Sequence, residues 1–162
     1  MEELLGDGVA NPAGFDHASM VILRLAPQDY HRYHSPVGGT IASQHTIGGS
    51  LHSVNSDAMT SGNYAIFNTR VVTIINTPAR GRVAFVAIGA VCVGSVQMVR
   101  GPGDVVGRGD ELGYFQFGGS TIAVLFEDPA STGLRFDDEI LALSALRVET
   151  LVRVRQAVAR FG

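Results

Sequence analysis

Val83-Ala-Phe-Val-Ala-Ile-Gly-Ala-Val-Cys-Val-Gly-Ser-Val-Gln-Met-Val99 is the longest stretch of this chain with no acidic, basic or histidine side chain, and it lies between Arg82 and Arg100. A membrane-spanning helix needs roughly 20 apolar residues. This run is shorter, and Gly89 and Gly94 interrupt it. Its valines are branched at Cβ, which restricts χ1 against a helical turn and suits a pleated strand. The stretch therefore reads as two buried strands joined by a turn, at the centre of a β core.

Working outward, Met20 to Leu25, Thr40 to Ile47, Arg70 to Ile75 and Thr121 to Phe126 are short apolar runs set off by proline, glycine or Asn76-Thr77-Pro78. Each reads as a strand. Gly101-Pro102-Gly103 turns the chain, and Gly109-Asp110-Glu111-Leu112-Gly113 reads as a turn between strands. Phe115 and Phe117 then alternate into Gly118-Gly119. Asp29 to His34 lies between Pro27 and Pro36 and has room for little more than one helical turn. From Asp138 to Phe161 the spacing becomes helical, with Val148, Leu151, Val152, Val154, Val158 and Phe161 on one side and Glu149, Arg153 and Arg160 on the other. This predicts either a terminal helix packed on the sheet or an Arg-bearing helix lying on a membrane surface. The expected fold is mainly β: one domain over residues 1–162, a compact barrel or sandwich of short strands with a short His-bearing helical turn and a C-terminal helix.

Composition narrows the chemistry. The 162 residues include 12 basic and 15 acidic side chains, for a net charge of −3, which argues against nucleic acid as the main partner. All the basic residues are arginine. Without lysine the chain forms no internal aldimine with pyridoxal phosphate, carries no lipoyl or biotinyl arm and has no P-loop lysine. Cys92 is the single cysteine, so no intrachain disulfide forms, and its valine neighbours predict a buried, inert thiol. The first residues, Met-Glu-Glu-Leu-Leu, lack the basic and apolar regions of a signal peptide.

Two features stand out as candidate chemistry. His31 and His34 are three apart, and Ser120 follows Gly118-Gly119 and precedes Thr121. Spacing alone leaves both open, since Gly-Gly-Ser is commonly a turn and a His-x-x-His pair commonly a surface detail. The five histidines, with one thiol and no His-x-x-x-His on a helix, do not make a zinc site.

The segments around these residues carry a resemblance. Arg24-Leu-Ala-Pro-Gln-Asp-Tyr-His-Arg-Tyr-His-Ser-Pro36 resembles the signature segment of phosphatidylserine decarboxylases. Gly109-Asp-Glu-Leu-Gly-Tyr-Phe-Gln-Phe-Gly-Gly-Ser-Thr121 resembles their self-cleavage region, in the Gly-Gly-Ser-Thr form of the larger eukaryotic and fungal branch. Asn68-Thr-Arg70, Gly89 to Ser95 and Glu149-Thr-Leu-Val-Arg153 also fit, in the same order along the chain.

The resemblance implies a carbonyl made by the chain itself. Ser120 Oγ attacks the carbonyl of Gly119, and elimination releases residues 1–119 as a β chain. Residues 120–162 become an α chain capped by a covalent pyruvoyl group derived from Ser120. Gly118 and Gly119, lacking Cβ atoms, suit a strained backbone there. By resemblance His34 is the base for self-processing, His31 assists decarboxylation of the substrate, and Thr121 belongs to the motif. The implied reaction converts phosphatidylserine to phosphatidylethanolamine and carbon dioxide.

The implied partners are a phospholipid at a membrane surface, the two self-cleaved chains with each other, and a second copy in a homodimer. The implied location is a eukaryotic endomembrane, or the cytosol for a naturally short chain. The family pairs its processing histidine with an aspartate upstream of the Leu-Leu-Gly stretch, which here is Leu4-Leu5-Gly6. The expectation is thus an N-terminally truncated family member. Two other readings follow: decarboxylation of a free aromatic amino acid by the same chemistry, and an unprocessed remnant with an intact Gly119–Ser120 bond.

Overall fold

The computed structural model describes residues 2–53, 64–90, 95–116, 120–127 and 133–162. Eleven strands are defined among them. Six form one antiparallel sheet in the order β1, β9, β5, β4, β3, β7. These are β1 (Ser19–Leu25), β3 (Gly39–Ile47), β4 (Arg70–Asn76), β5 (Arg82–Ile88), β7 (Val105–Val106) and β9 (Ser120–Phe126). A second sheet has the order β2 (Arg32–His34), β8 (Glu111–Gln116), β6 (Ser95–Met98). A small ribbon pairs β10 (Leu134–Phe136) with β11 (Ala159–Phe161). The mainly β expectation is met, and the runs read from sequence as strands coincide with β1, β3, β4, β5, β6 and β9.

Strands β4, β5 and β9 are buried on both faces of the large sheet, so they are mostly apolar rather than alternating. On β9, Ile122, Val124 and Phe126 join a core with Ile75, Phe85 and Ala87, while Ala123 and Leu125 join a second core with Val72, Ile74 and Val86. The first core is closed by the three-stranded sheet, through Tyr33, Leu112 and Phe115, and by Leu134 and Phe161 of the ribbon. The second is closed by the N-terminal segment, through Leu5 of α1 (Glu2–Leu5), Val9, and Phe15 at the end of a 3₁₀ turn. The result is a sandwich with β9 at its middle.

Close approach inside the small sheet depends on Gly113. A Cβ there would stand 2.0 Å from the Gln97 carbonyl oxygen and 2.7 Å from the Tyr33 ring. That gap lets the Tyr33 ring lie in the core, with its hydroxyl donating to Gln97 O at 2.8 Å. Burial pushes the Tyr33 phenol well above its ordinary pKa.

Three expectations are corrected. The histidine segment is not a helical turn: Arg32–His34 is strand β2, paired with β8 across a bulge between Tyr33 and His34. Alternation explains it, because Tyr33 enters the core while its neighbours point away. The proposed turn at residues 109–113 is confined to residues 107–110, and β8 begins at Glu111. The C-terminal helix stops early. Helix α2 (Asp138–Ala145) is capped by the Asp137 side chain, which accepts from the Glu139 N–H at 3.1 Å. It ends in a Schellman motif, with Val148 N–H to Leu143 O and Arg147 N–H to Ser144 O, both 2.9 Å, and Arg147 left-handed at φ 58°. Downstream, β11 pairs with β10, a long-range bond set that competes with helix and wins. The expectation of an inert Cys92 falls outside the described residues.

Candidate functional site

Ser120 opens β9 and is fully buried. Because side chains alternate along a strand, Ser120 shares a face with Ile122 and Val124 and points into the core beneath the three-stranded sheet. Leu25 of β1 pairs with it on one side. On the other side β5 pairs Ile88 with Thr121, so Gly89 follows one step beyond, level with Ser120. Ser120 Oγ has no hydrogen-bond partner, and neither has Thr121 Oγ1 on the opposite face. A buried, unsatisfied hydroxyl costs about 1–3 kcal/mol, and native proteins rarely leave one without a use.

Backbone around this point is tightly held. The fully buried Asn68 accepts from His52 N–H at 2.7 Å and donates to His52 O at 2.9 Å and Gly89 O at 2.8 Å. Gly89 N–H donates to Thr69 O at 2.9 Å. Arg70 then donates to the carbonyls of Leu4, Ile66, Asn68 and Glu3, which ties α1 to the sheet. Desolvation lowers the Arg70 pKa without a compensating carboxylate. The matched Asn68-Thr69-Arg70 segment is thus a backbone clamp beside Ser120.

The facing sheet carries the two histidines. His31 Nδ1 lies 2.7 Å from Asp29 O, and His34 Nδ1 lies 2.9 Å from Gly109 O. A carbonyl only accepts, so in the neutral form of either ring Nδ1 holds the proton and Nε2 carries the lone pair. His34 Nε2 accepts from Tyr30 Oη at 3.0 Å, under a stacked tyrosine ring. His31 Nε2 is buried and has no partner. Their positions along β8 differ. His31 O accepts from Phe115 N–H at 2.9 Å, near the strand end that leads toward Ser120, whereas His34 pairs with Glu111 at the far end. At 3.2–3.4 Å per residue, those two levels are about 13 Å apart. No hydrogen bond joins Ser120 Oγ to either ring. The other two residues expected at the site, Gly118 and Gly119, lie outside the described residues, as does Phe117.

An ion pair borders this region. Arg24, level with Thr121, donates from Nε and Nη2 to both carboxylate oxygens of Glu149 at 2.7 and 2.6 Å. These hydrogen bonds raise the Arg24 pKa and lower that of Glu149. Sequence reasoning named both residues within matched segments but gave neither a role. It also missed Tyr30 and the Gly109 carbonyl as partners of His34; Tyr30 stood in the same segment, whereas the Gly109 contact spans 75 residues and left no local signal.

Fold and site together describe a two-layer β domain with an orphaned serine on one sheet and two tautomer-fixed histidines on the other. A family model described as phosphatidylserine decarboxylase matches residues 1–148. The chain is 50% identical over 156 residues to phosphatidylserine decarboxylase proenzyme 2 of Oryza sativa subsp. japonica, covering 95% of this chain and 24% of that protein. It is 42% identical over 163 residues to proenzyme 3 of Schizosaccharomyces pombe, covering 99% of this chain and 16% of the relative. It is 38% identical over 162 residues to the Chlamydia trachomatis proenzyme, covering 99% of this chain and 52% of the relative. The chain belongs to the phosphatidylserine decarboxylase family. It spans between about an eighth and about half of the length of these and similar curated relatives.

Proposed function

We infer that this chain carries the self-processing and decarboxylating centre of a pyruvoyl-dependent phosphatidylserine decarboxylase. The observation that carries the reading is the buried Ser120 hydroxyl without a partner at the first residue of β9. It is also the observation that makes the site fit a pyruvoyl group, which would be built from Ser120 and held by β9. Membership in the family supplies the reaction class.

In the proposed processing step Ser120 Oγ attacks the carbonyl carbon of Gly119, its proton is relayed to His34, which stands at the far end of β8 and makes no hydrogen bond to Ser120, and the Gly119–Ser120 C–N bond breaks. An ester and a free amine result. Loss of the Ser120 α-proton then expels Gly119 as a carboxylate, and water hydrolyses the remaining dehydroalanine with release of ammonia. The Nδ1–H bond of His34 to Gly109 O supports its role, because it leaves Nε2 as the basic nitrogen. That carbonyl fixes the tautomer as a triad carboxylate does, but being neutral it stabilises an imidazolium less. Tyr30 Oη has to leave Nε2 for the proton to be taken there.

The pyruvoyl carbonyl supplies the electron sink for loss of carbon dioxide from an amine-bearing carboxylate. His31 in its protonated form would receive the substrate carboxylate or return a proton to the product carbon, and its buried, unpartnered Nε2 supports that role. Thr121 lies on the opposite face with its own hydroxyl unpartnered. The phospholipid, the pairing of the two cleaved chains and a homodimer belong to this reading, as does a membrane location. Among the described residues no helix is long and apolar enough to cross a membrane.

Intact mass under denaturing conditions tests it. The expected result is two chains, with the smaller starting at position 120 and lighter by one ammonia than a serine-led peptide. Ser120→Ala should give one unbroken chain. An unbroken wild-type chain overturns the reading in favour of an unprocessed family member. Cleaved protein that decarboxylates tryptophan but not phosphatidylserine moves the substrate to the aromatic amino acids.

A further inference from the structure

We propose that the loop following α2, residues 146–155, is a docking surface for an anionic lipid bilayer. Leu146 is 72% exposed, Val148 49%, Leu151 94% and Val154 56%, values that no packing inside the domain explains. Isolated exposed aliphatics are ordinary, but four within nine residues form a patch. Interleaved with them are Arg147, Arg153 and Arg155, all exposed. The loop's single carboxylate, Glu149, is already taken by Arg24. Among the described residues none of the three arginines has a carboxylate partner; Arg155 only reaches the Gly109 carbonyl, at 3.3 Å.

Alternating aliphatic and guanidinium groups match the bilayer interface, where apolar side chains enter the acyl boundary and arginines stay at the headgroups. Each arginine near an anionic surface strengthens binding by about fivefold. A second copy fits poorly, because an isologous contact through this loop would gather six guanidinium groups with no free carboxylate. The whole chain has net charge −3, so attraction must come from this local cluster, which also fixes the orientation of the domain. Two contacts hold the loop beside the candidate site: Glu149 to Arg24, level with Thr121, and Arg155 to Gly109, whose carbonyl also holds His34. The use of this surface to present a lipid substrate rests on the proposed function; the attraction to the bilayer does not.

The test is flotation with phosphatidylcholine vesicles with and without phosphatidylglycerol, an anionic lipid that lacks the substrate's amine. Wild type should float with the anionic vesicles and release at high salt. Leu151→Asp should weaken binding by about tenfold or more, since burying one leucine is worth roughly 1.5–3 kcal/mol. Arg147→Gln with Arg153→Gln should weaken it similarly and flatten the salt dependence. Both variants change exposed side chains, and unchanged circular dichroism confirms their fold. Equal flotation of wild type and Leu151→Asp overturns the proposal. So does a stable dimer or protein complex that occupies the loop and keeps wild type off the vesicles. Intact mass on the same preparation separates the questions: an unbroken chain that floats as expected removes the proposed function and leaves the docking surface standing.

Discussion

Residues 120–162 contain two differently held regions. Strand β9 is buried along its whole length and bonded on both sides, to β1 and to β5. The segment from α2 to Arg155 has no buried residue in its helix and touches the rest of the domain at two polar points, Glu149 on Arg24 and Arg155 on Gly109, before β11 pairs with β10 and sets Phe161 against the core. One region is fixed by continuous ladders and packing, the other by a few polar contacts and a short ribbon. Rigid placement of Ser120 therefore asks nothing of the tail, which is left able to meet a surface.

The largest test of that contrast pairs two leucines. Leu125→Ala removes a fully buried side chain and should lower stability by about 2–5 kcal/mol in denaturant unfolding. Leu151→Ala, at a 94% exposed position, should stay within about 0.5 kcal/mol. Comparable losses at both positions would break the comparison.

A smaller test sets one ion pair against another. Glu127 at the end of β9 accepts from Arg82 at its backbone N–H (2.9 Å), Nε (3.1 Å) and Nη2 (2.7 Å), and both side chains are mostly shielded. Glu149 is half exposed. Glu127→Gln should cost about 1–3 kcal/mol and Glu149→Gln less than about 1 kcal/mol, because solvent screens the second pair. Hydrogen bonds from arginine lower both carboxyl pKa values. Their stabilisation is thus complete above the ordinary carboxyl range, about 4.3, and is lost as pH falls through the lower folded values. Acid unfolding curves should show a shallower acid limb in Glu127→Gln, and a smaller change in Glu149→Gln.

The smallest effect has the opposite sign. Arg147 occupies a left-handed conformation that glycine adopts without strain, so Arg147→Gly should raise thermal stability by about 0.5–1 kcal/mol. A loss there would mean that the arginine side chain holds the tail more firmly than its exposure suggests.

The same division governs what the sequence discloses. Strands β3, β4, β5 and β9 are legible because apolar runs bounded by glycine or proline have few alternatives. The end of α2 is not, because its stop residue is an arginine and the competing bonds come from Arg24 and β10, more than 20 residues distant at the nearest. The histidine segment misleads for a related reason. Two flanking prolines suit a short helical turn, yet Gly113 opens a slot for Tyr33 on a strand some 80 residues away. At the site, the segment around Ser120 stood out by its glycine pair. The orphaned hydroxyl, the His34 tautomer and the Asn68 clamp each need a tertiary contact to exist, whereas the His31 tautomer is set two residues away by Asp29 O.

Strand β9 has one more consequence. If the backbone is cut just ahead of Ser120, the new chain end is the first residue of a strand locked between two others. The nicked molecule should therefore migrate as one species under native conditions. Its renaturation is another matter: once denatured, the two pieces must find each other by diffusion, so recovery depends on protein concentration where that of the uncut chain does not. In that case the uncut chain would act as its own folding template, used once and then dispensed with.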